Sequence, residues 1–332
     1  MKKILSKKNL VFIFPFLALV ITIIAVSTNK DLVKPQTIET TNEMEVSYKR
    51  VYTISEDNSL VVPLTATCPS SSNIAEDMLC VLNLLKEDSP VTSSAGFTYT
   101  LNKNVKINAI EIDQNVASID FSSEFNDYPV AKERKILESL VWSLSQFDQV
   151  DGLIIKVNGL VLEKMPQNNT PLPPLLTKAI GINHYLGDSD VYNTTSITVF
   201  YESEINNLSY LVPVTRRIEK KENEVATILD AMYMDIDFYT GLKEISSIEL
   251  IEINDYLVEE NSITFDLSDK SLLEELCLKE EIYEILMLTF NELNSCDLEM
   301  NFTVYEEPVF VNGYPNYTDE KVSNILINDV EL

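Results

Sequence analysis

The chain has 332 residues, 45% of them hydrophobic, which suffices for two ordinary cores at about 100 to 200 residues per domain. Seven glycines leave little room for glycine-rich phosphate-cradling loops. A net charge of −27 argues against nucleic acid, where each phosphate contact needs a cation. Of the 52 acidic and 25 basic residues, 30 and 8 lie from residue 196 onward. The negative field therefore belongs mainly to the second half, as a solvated, self-repelling surface or as a face for a basic partner.

Lys2, Lys3, Lys7 and Lys8 precede the uncharged apolar run 10–26, LVFIFPFLALVITIIAV. At about 1.5 Å per residue it covers about 26 Å, within the range of a spanning helix. The lysines place its start in the cytoplasm and the bulk of the chain outside. A cleaved signal peptide is the competing reading, on the small-x-small pattern Ala25-Val26-Ser27. The expectation is an uncleaved single-pass anchor in the cytoplasmic membrane, residues 1–27, then a polar spacer, 28–46.

Val51–Ile54 and Leu60–Leu64 flank the turn-rich SEDNS and read as a β-hairpin. A helix begins at Asn73, a good N-cap, with Ile74, Met78, Leu79, Leu82 and Leu85 on one face. Strands follow at 105–113 and 115–125. Ile136, Leu137, Leu140, Val141, Leu144 and Phe147 then recur at helical spacing, and Leu153, Ile155 and Val157 at strand spacing. Asn158-Gly159 sits where a tight turn reverses the chain. The Pro- and Asn-rich 166–195 reads as a linker arm.

A second unit repeats the first. VPVT at 212–215 answers VPLT at 62–65, IELIEIN at 248–254 answers INAIEID at 107–113, and TFDLS at 264–268 answers SIDFS at 118–122. Ile282, Leu286, Met287, Phe290 and Leu293 stand where Ile136, Leu140, Val141, Leu144 and Phe147 stand. The expected architecture is α+β: an N-terminal transmembrane helix, a first small α/β sandwich domain at 47–165, a second at 196–315, and a tail at 316–332.

The blocks VPLT, ASIDFSSEFNDY (117–128), ESLVWSLSQFDQVDGLIIKVNG (138–159) and KAIGIN (178–183) resemble the GerM-like spore formation and germination domain of endospore-forming bacteria. The second unit departs from it, lacking the tryptophan and carrying Phe265-Asp266-Leu267-Ser268. The resemblance implies tandem domains similar to the ring-building motifs of secretion systems. It also implies a non-enzymatic extracytoplasmic role in sporulation, in the transport complex between mother cell and forespore, exercised through protein partners or self-assembly.

Catalytic sets are missing. The lone histidine, His184, has no G-x-S-x-G partner, and Asp120 with Glu124 is the best-placed carboxylate pair. Neither a metal nor a cofactor is expected, since the four cysteines lack C-x-x-C spacing and Asp235-Ile236-Asp237 lacks the rest of a calcium loop. Cys68 and Cys80 could form a disulfide outside the cytoplasm, or Cys80 and Cys277 could be small core residues. Trp142 lies about 160° around its helix from Leu140 and Leu144, which admits an exposed interface anchor or a wide core stripe. The candidate interface is Trp142 with Asp120, Phe121, Glu124 and Phe125 of the signature and the Asn158-Gly159 turn. The rival reading is an extracytoplasmic ligand- or cell-wall-binding protein with a groove between its domains.

Overall fold

The computed structural model describes residues 46–94, 96–184, 193–233, 245–246, 252–259, 262–268, 272–273, 277–293, 299–315, 317 and 325–329. The anchor expected at 10–26 and the pair Asp235 and Asp237 lie outside these residues, among which no helix is long and apolar enough to cross a membrane.

The first half opens with strands β1 (Val46–Ser55) and β2 (Val61–Pro69), an antiparallel hairpin in register from Val46↔Pro69 to Ile54↔Val61. Its turn is held by Asp57, which accepts from the Ser55 hydroxyl at 2.6 Å and the Ser59 amide at 3.0 Å. Helix α1 (Ile74–Leu84) starts where the Asn73 side chain accepts from the Ala75 amide at 3.0 Å. A disulfide between Cys68 and Cys80 ties β2 to α1, and a 2.7 Å ion pair from Lys49 to Asp77 ties β1 to it.

Strand β3 (Phe97–Thr98) adds two residues to the free side of β1. Then β4 (Ile107–Asp113) and β5 (Val116–Phe121) pair antiparallel. Helix α2 (Glu133–Leu144) crosses over to β6 (Gly152–Val157), which lies parallel to β5. The short β7 (Leu160–Val161) closes a four-stranded sheet of order β4-β5-β6-β7. Asn158 and Gly159 both have positive φ, as a two-residue hairpin turn needs.

The stretch expected to be a linker folds back as far as residue 184. Leu176 bridges to Leu153, and Met165 and Ile182 are fully buried. Glu133, itself buried, accepts from the Tyr128 hydroxyl, the amides of Gln167, Asn168 and Thr170, and the Thr170 hydroxyl. Burial pushes this carboxyl up, but the bonds from Thr170, Asn168 and Tyr128 outweigh it and hold it below its usual range.

The second half repeats the order. It contains β8 (Thr194–Ile205), β9 (Leu208–Glu219), α3 (Glu224–Tyr233), β10 (Ile245–Ser246), β11 (Ile253–Val258), β12 (Ser262–Leu267), β13 (Leu272–Leu273), β14 (Cys277–Leu278), α4 (Glu280–Leu293), β15 (Glu299–Val304), β16 (Glu307–Pro308) and β17 (Phe310–Val311). Strands β10-β8-β9 match the first hairpin sheet, and β11-β12-β15-β16 the four-stranded one, with β12 and β15 parallel. A small sheet β13-β14-β17 is an addition.

One expected correspondence is corrected. Ile107 pairs with Phe121 and Ile253 with Leu267, so the counterpart of β4 is INDYLV at 253–258 and not IELIEIN at 248–254. A bulge between Ile253 and Asp255, like the one between Ile107 and Ala109, interrupts the strand period, so the sequence period does not give this register. Asn108 and Asn254 confirm the new register, each donating to the equivalent aspartate, Asp120 at 3.2 Å and Asp266 at 3.4 Å.

Candidate functional site

From Ile136 to Leu144 helix α2 is buried on every side, because it packs against β1, β2, β6 and α1. Its polar residues meet a strand edge. The Ser143 hydroxyl accepts from the Tyr52 amide at 2.9 Å and the Ser139 hydroxyl donates to the Tyr52 carbonyl at 2.5 Å. Gln146 accepts from the Arg50 amide at 2.9 Å and donates to the Arg50 carbonyl at 2.7 Å. Ser139 and Ser143 share a helix face that Gln146 continues in the turn after α2, so this surface pairs with β1 beyond the short β3, where a strand would otherwise stand. In the second half the Thr289 hydroxyl does the same for the Phe200 amide at 3.2 Å.

Trp142 is therefore core, 1% exposed. Its indole donates to the Gly181 carbonyl at 3.2 Å, and the Lys178 ammonium lies 4.8 Å above the ring. The exposed-anchor reading fails because the helix has no solvent face at this turn. Phe121 and Phe125 are likewise buried, stacked at 4.7 Å. None of these three rings is available to a partner.

Asp120 accepts from the Gly159 amide at 2.7 Å and fastens the Asn158-Gly159 turn to β5. Glu124 is exposed, and its carbonyl accepts from Asn102 at 2.9 Å. Of the candidate interface, Asp120, Asn158 and Gly159 thus form one cluster beside the exposed Leu160 and Val161, while the rings lie inside.

The two halves meet where β2 runs beside β9, and two asparagines join them. Asn183, 2% exposed, accepts from the Val61 amide at 2.7 Å and donates to the Val61 carbonyl at 2.7 Å and the Pro213 carbonyl at 2.8 Å. Asn328 accepts from the Leu211 amide at 2.7 Å and donates to the Leu211 carbonyl at 2.8 Å and the Pro63 carbonyl at 2.7 Å. Pro63 and Pro213 have no N–H, so only their carbonyls need a partner here.

The residue before each asparagine completes the arrangement. The Ile182 carbonyl accepts from the Thr215 amide at 2.8 Å, and the Ile327 carbonyl from the Thr65 amide at 3.0 Å. Val-Pro-x-Thr and Ile-x-Ile-Asn are thus two halves of one interlock, used twice. Gly181 has φ of +75°, and a Cβ on it would fall 2.8 Å from His184 Nδ1. Glu138, buried beside Asn183, is neutralised by Arg134 at 2.9 Å and Lys135 at 3.1 Å.

Next to this seam lies a cleft of about 760 Å³ between α2 and α4, walled by Tyr48, Arg50, Trp142, Lys178, Asn291 and Leu326. Lys178 pairs with Glu292 across it. Among the described residues no three His, Cys, Asp or Glu come together as a metal site. Burial, and Arg134 nearby, lower the basicity of His184. The sequence reading missed Asn183, Asn328, Ser143 and Gln146. For the asparagines a signal existed, since I-G-I-N at 180–183 recurs as I-L-I-N at 325–328.

Residues 50–163 match the family described as Germane, sporulation and spore germination. The spore germination protein GerM of Bacillus subtilis (strain 168) is 33% identical over 175 residues, 52% of this chain. Those residues are 47% of that protein, so the chain spans about half the length of this curated relative. The solved tandem GerMN domains of the sporulation protein GerM from Bacillus subtilis superpose with a TM-score of 0.67 at 25% identity. That match covers 86% of this chain and 99% of that one.

Proposed function

We propose that this chain, which is similar to the Germane family over residues 50–163 and to the tandem GerMN domains of GerM over 86% of its length, serves sporulation and germination as a membrane-anchored extracytoplasmic assembly protein. In this reading residues 10–26 hold it in the cytoplasmic membrane, N-terminus inside, and its partners are proteins or further copies of itself. It acts by contact and not by catalysis, in the transport complex between mother cell and forespore. The tandem GerMN fold, matched over 86% of the chain to a sporulation protein, is the observation that carries the proposal. The Cys68–Cys80 disulfide supports the extracytoplasmic placement, because such bonds persist in oxidising compartments.

The test is a clean deletion in the native host, scored by heat-resistant spores and by imaging of engulfed forespores. A block after engulfment is expected. Normal sporulation with altered wall composition would instead favour a ligand-binding role for the cleft beside the seam, whose volume suits a small glycan.

A further inference from the structure

The seam has the construction of a peptide-binding site whose occupant comes from the same chain. Residues 325–329 lie along β2, with Asp329 bridged in parallel to Thr65. Ile325 and Ile327 are buried at 2% and 1%, while Leu326 between them is 36% exposed. The burial alternates although the segment turns at Ile327-Asn328, where the Ile327 amide donates to the Ile325 carbonyl at 3.1 Å and Asn328 has a φ of +49°. The Ile327 carbonyl accepts from both the Thr65 amide, at 3.0 Å, and the Thr65 hydroxyl, at 2.7 Å.

The specificity element is Asn328. Its carboxamide reads the amide and carbonyl of Leu211 in the second domain and the carbonyl of Pro63 in the first. Aspartate lacks the two donors that the carbonyls need, and alanine offers nothing. Glutamine would carry the same group one methylene too far. Recognition therefore requires the pattern apolar-x-apolar-Asn and both domains in place. The internal twin, Ile180–Asn183, occupies the mirrored site on β9, but the backbone bonds between Leu153 and Leu176 and the bond from Trp142 to Gly181 anchor it to the first domain.

We propose that the groove formed by Pro63, Thr65 and Leu211 is a binding site for an Ile-x-Ile-Asn peptide, occupied in cis by residues 325–328 and able to take the same segment from a second copy of this chain. Exchange of this one segment links copies without forming any contact that the single chain lacks. Because Ile325 and Leu326 also wall the cleft that contains Trp142, occupancy of the groove is visible to the only tryptophan in the sequence.

The experiment uses the full chain carrying Asn328→Ala, which weakens the cis segment, and a labelled synthetic peptide of residues 322–332. Binding is followed by anisotropy and by Trp142 emission. The peptide is expected to bind this variant about tenfold more tightly than it binds wild type, and an Asn328→Ala peptide about tenfold more weakly than the native one. Equal binding of the two peptides, or none to the folded variant, overturns the site. Should the variant lose its cooperative fold, the wild-type chain cut at a protease site introduced at 319–322 replaces it. The native peptide must then displace the cut segment, and failure to do so overturns the site equally. Two differently tagged copies refolded together must co-purify, and Asn328→Ala in both must abolish this. Peptide binding without co-purification overturns the second-copy source.

Discussion

Asn183 and Asn328 hold mirrored positions, each pairing its carboxamide with both backbone groups of one strand residue and with a proline carbonyl of the opposite domain. Asn183 is the more buried of the two and additionally accepts from Lys135 at 2.9 Å. Replacing it by alanine leaves the Val61 amide and two carbonyls without partners in the interior. Asn183→Ala should cost about 2 to 4 kcal/mol, and Asn328→Ala less, because water reaches the second site. Urea unfolding of both variants checks the order, and an equal or reversed ranking contradicts it.

Trp142→Ala should destabilise the fold by about 3 to 5 kcal/mol, as for other buried large rings cut to alanine. It removes the bond to Gly181 and the surface on which Lys178 rests. Far-UV circular dichroism in urea gives the midpoint without relying on the lost fluorophore. An unchanged midpoint would restore the exposed-anchor reading. Trp142→Phe keeps the ring and should lose less.

Cysteine pairing makes a separate prediction. The Cys68–Cys80 bond closes a loop with a sequence separation of 12, and loops of this size are stabilised by about 3 kcal/mol. A Cys68→Ser/Cys80→Ser chain should melt lower than wild type in oxidising buffer and match it in dithiothreitol. A reductant-insensitive gap between the two would mean that side-chain packing, and not the bond, sets the difference.

How much of this was readable in advance depends on contact range. The 3.6 and 2.0 periods locate α2 and β6 to within a residue or two, because burial imposes the period locally. The same periods misassign 248–254, because the bulge between Ile253 and Asp255 interrupts the alternation of β11 beside β12. The angular argument for Trp142 assumes that a helix has a wet side, and α2 is enclosed. Ser143 and Gln146 look like ordinary solvated positions until the unpaired edge of β1 is seen. Asn328 bonds to Pro63 across 265 positions of sequence, and the four-residue Ile-x-Ile-Asn segment has no period to announce it.

Acidity should act through Glu284, which burial pushes up to about 6, helped by Glu280 and Glu281 and opposed by the 2.8 Å bond from Tyr314. Its folded value exceeds the unfolded 4.5, so the native state takes up the proton first. The contribution to stability grows as pH falls through 6 and is complete below 4.5. His184 works oppositely, since its lowered value penalises the fold as pH falls below 6.5. The difference between wild type and Glu284→Gln isolates the carboxyl. The glutamine chain should hold an advantage at pH 7.5 that shrinks by pH 4.5, and a pH-independent gap would remove Glu284 from the account.

Ser143 tests the helix-for-strand pairing most directly. Ser143→Ala removes only a hydroxyl, with almost no change in packing, yet leaves the Tyr52 amide buried and unpaired. The expected cost is about 1 to 3 kcal/mol. Thr289 occupies the matching position in the second half and bonds to Phe200, so Ser143→Thr keeps the acceptor and should recover most of the loss. A cavity effect alone predicts the opposite, because threonine adds a methyl group to a closely packed helix face. Hydrogen exchange at the Tyr52 amide separates the two. It should be fast in the alanine chain and slow in the serine and threonine chains, whatever the global stabilities are, since this proton is protected by one side chain and not by a neighbouring strand.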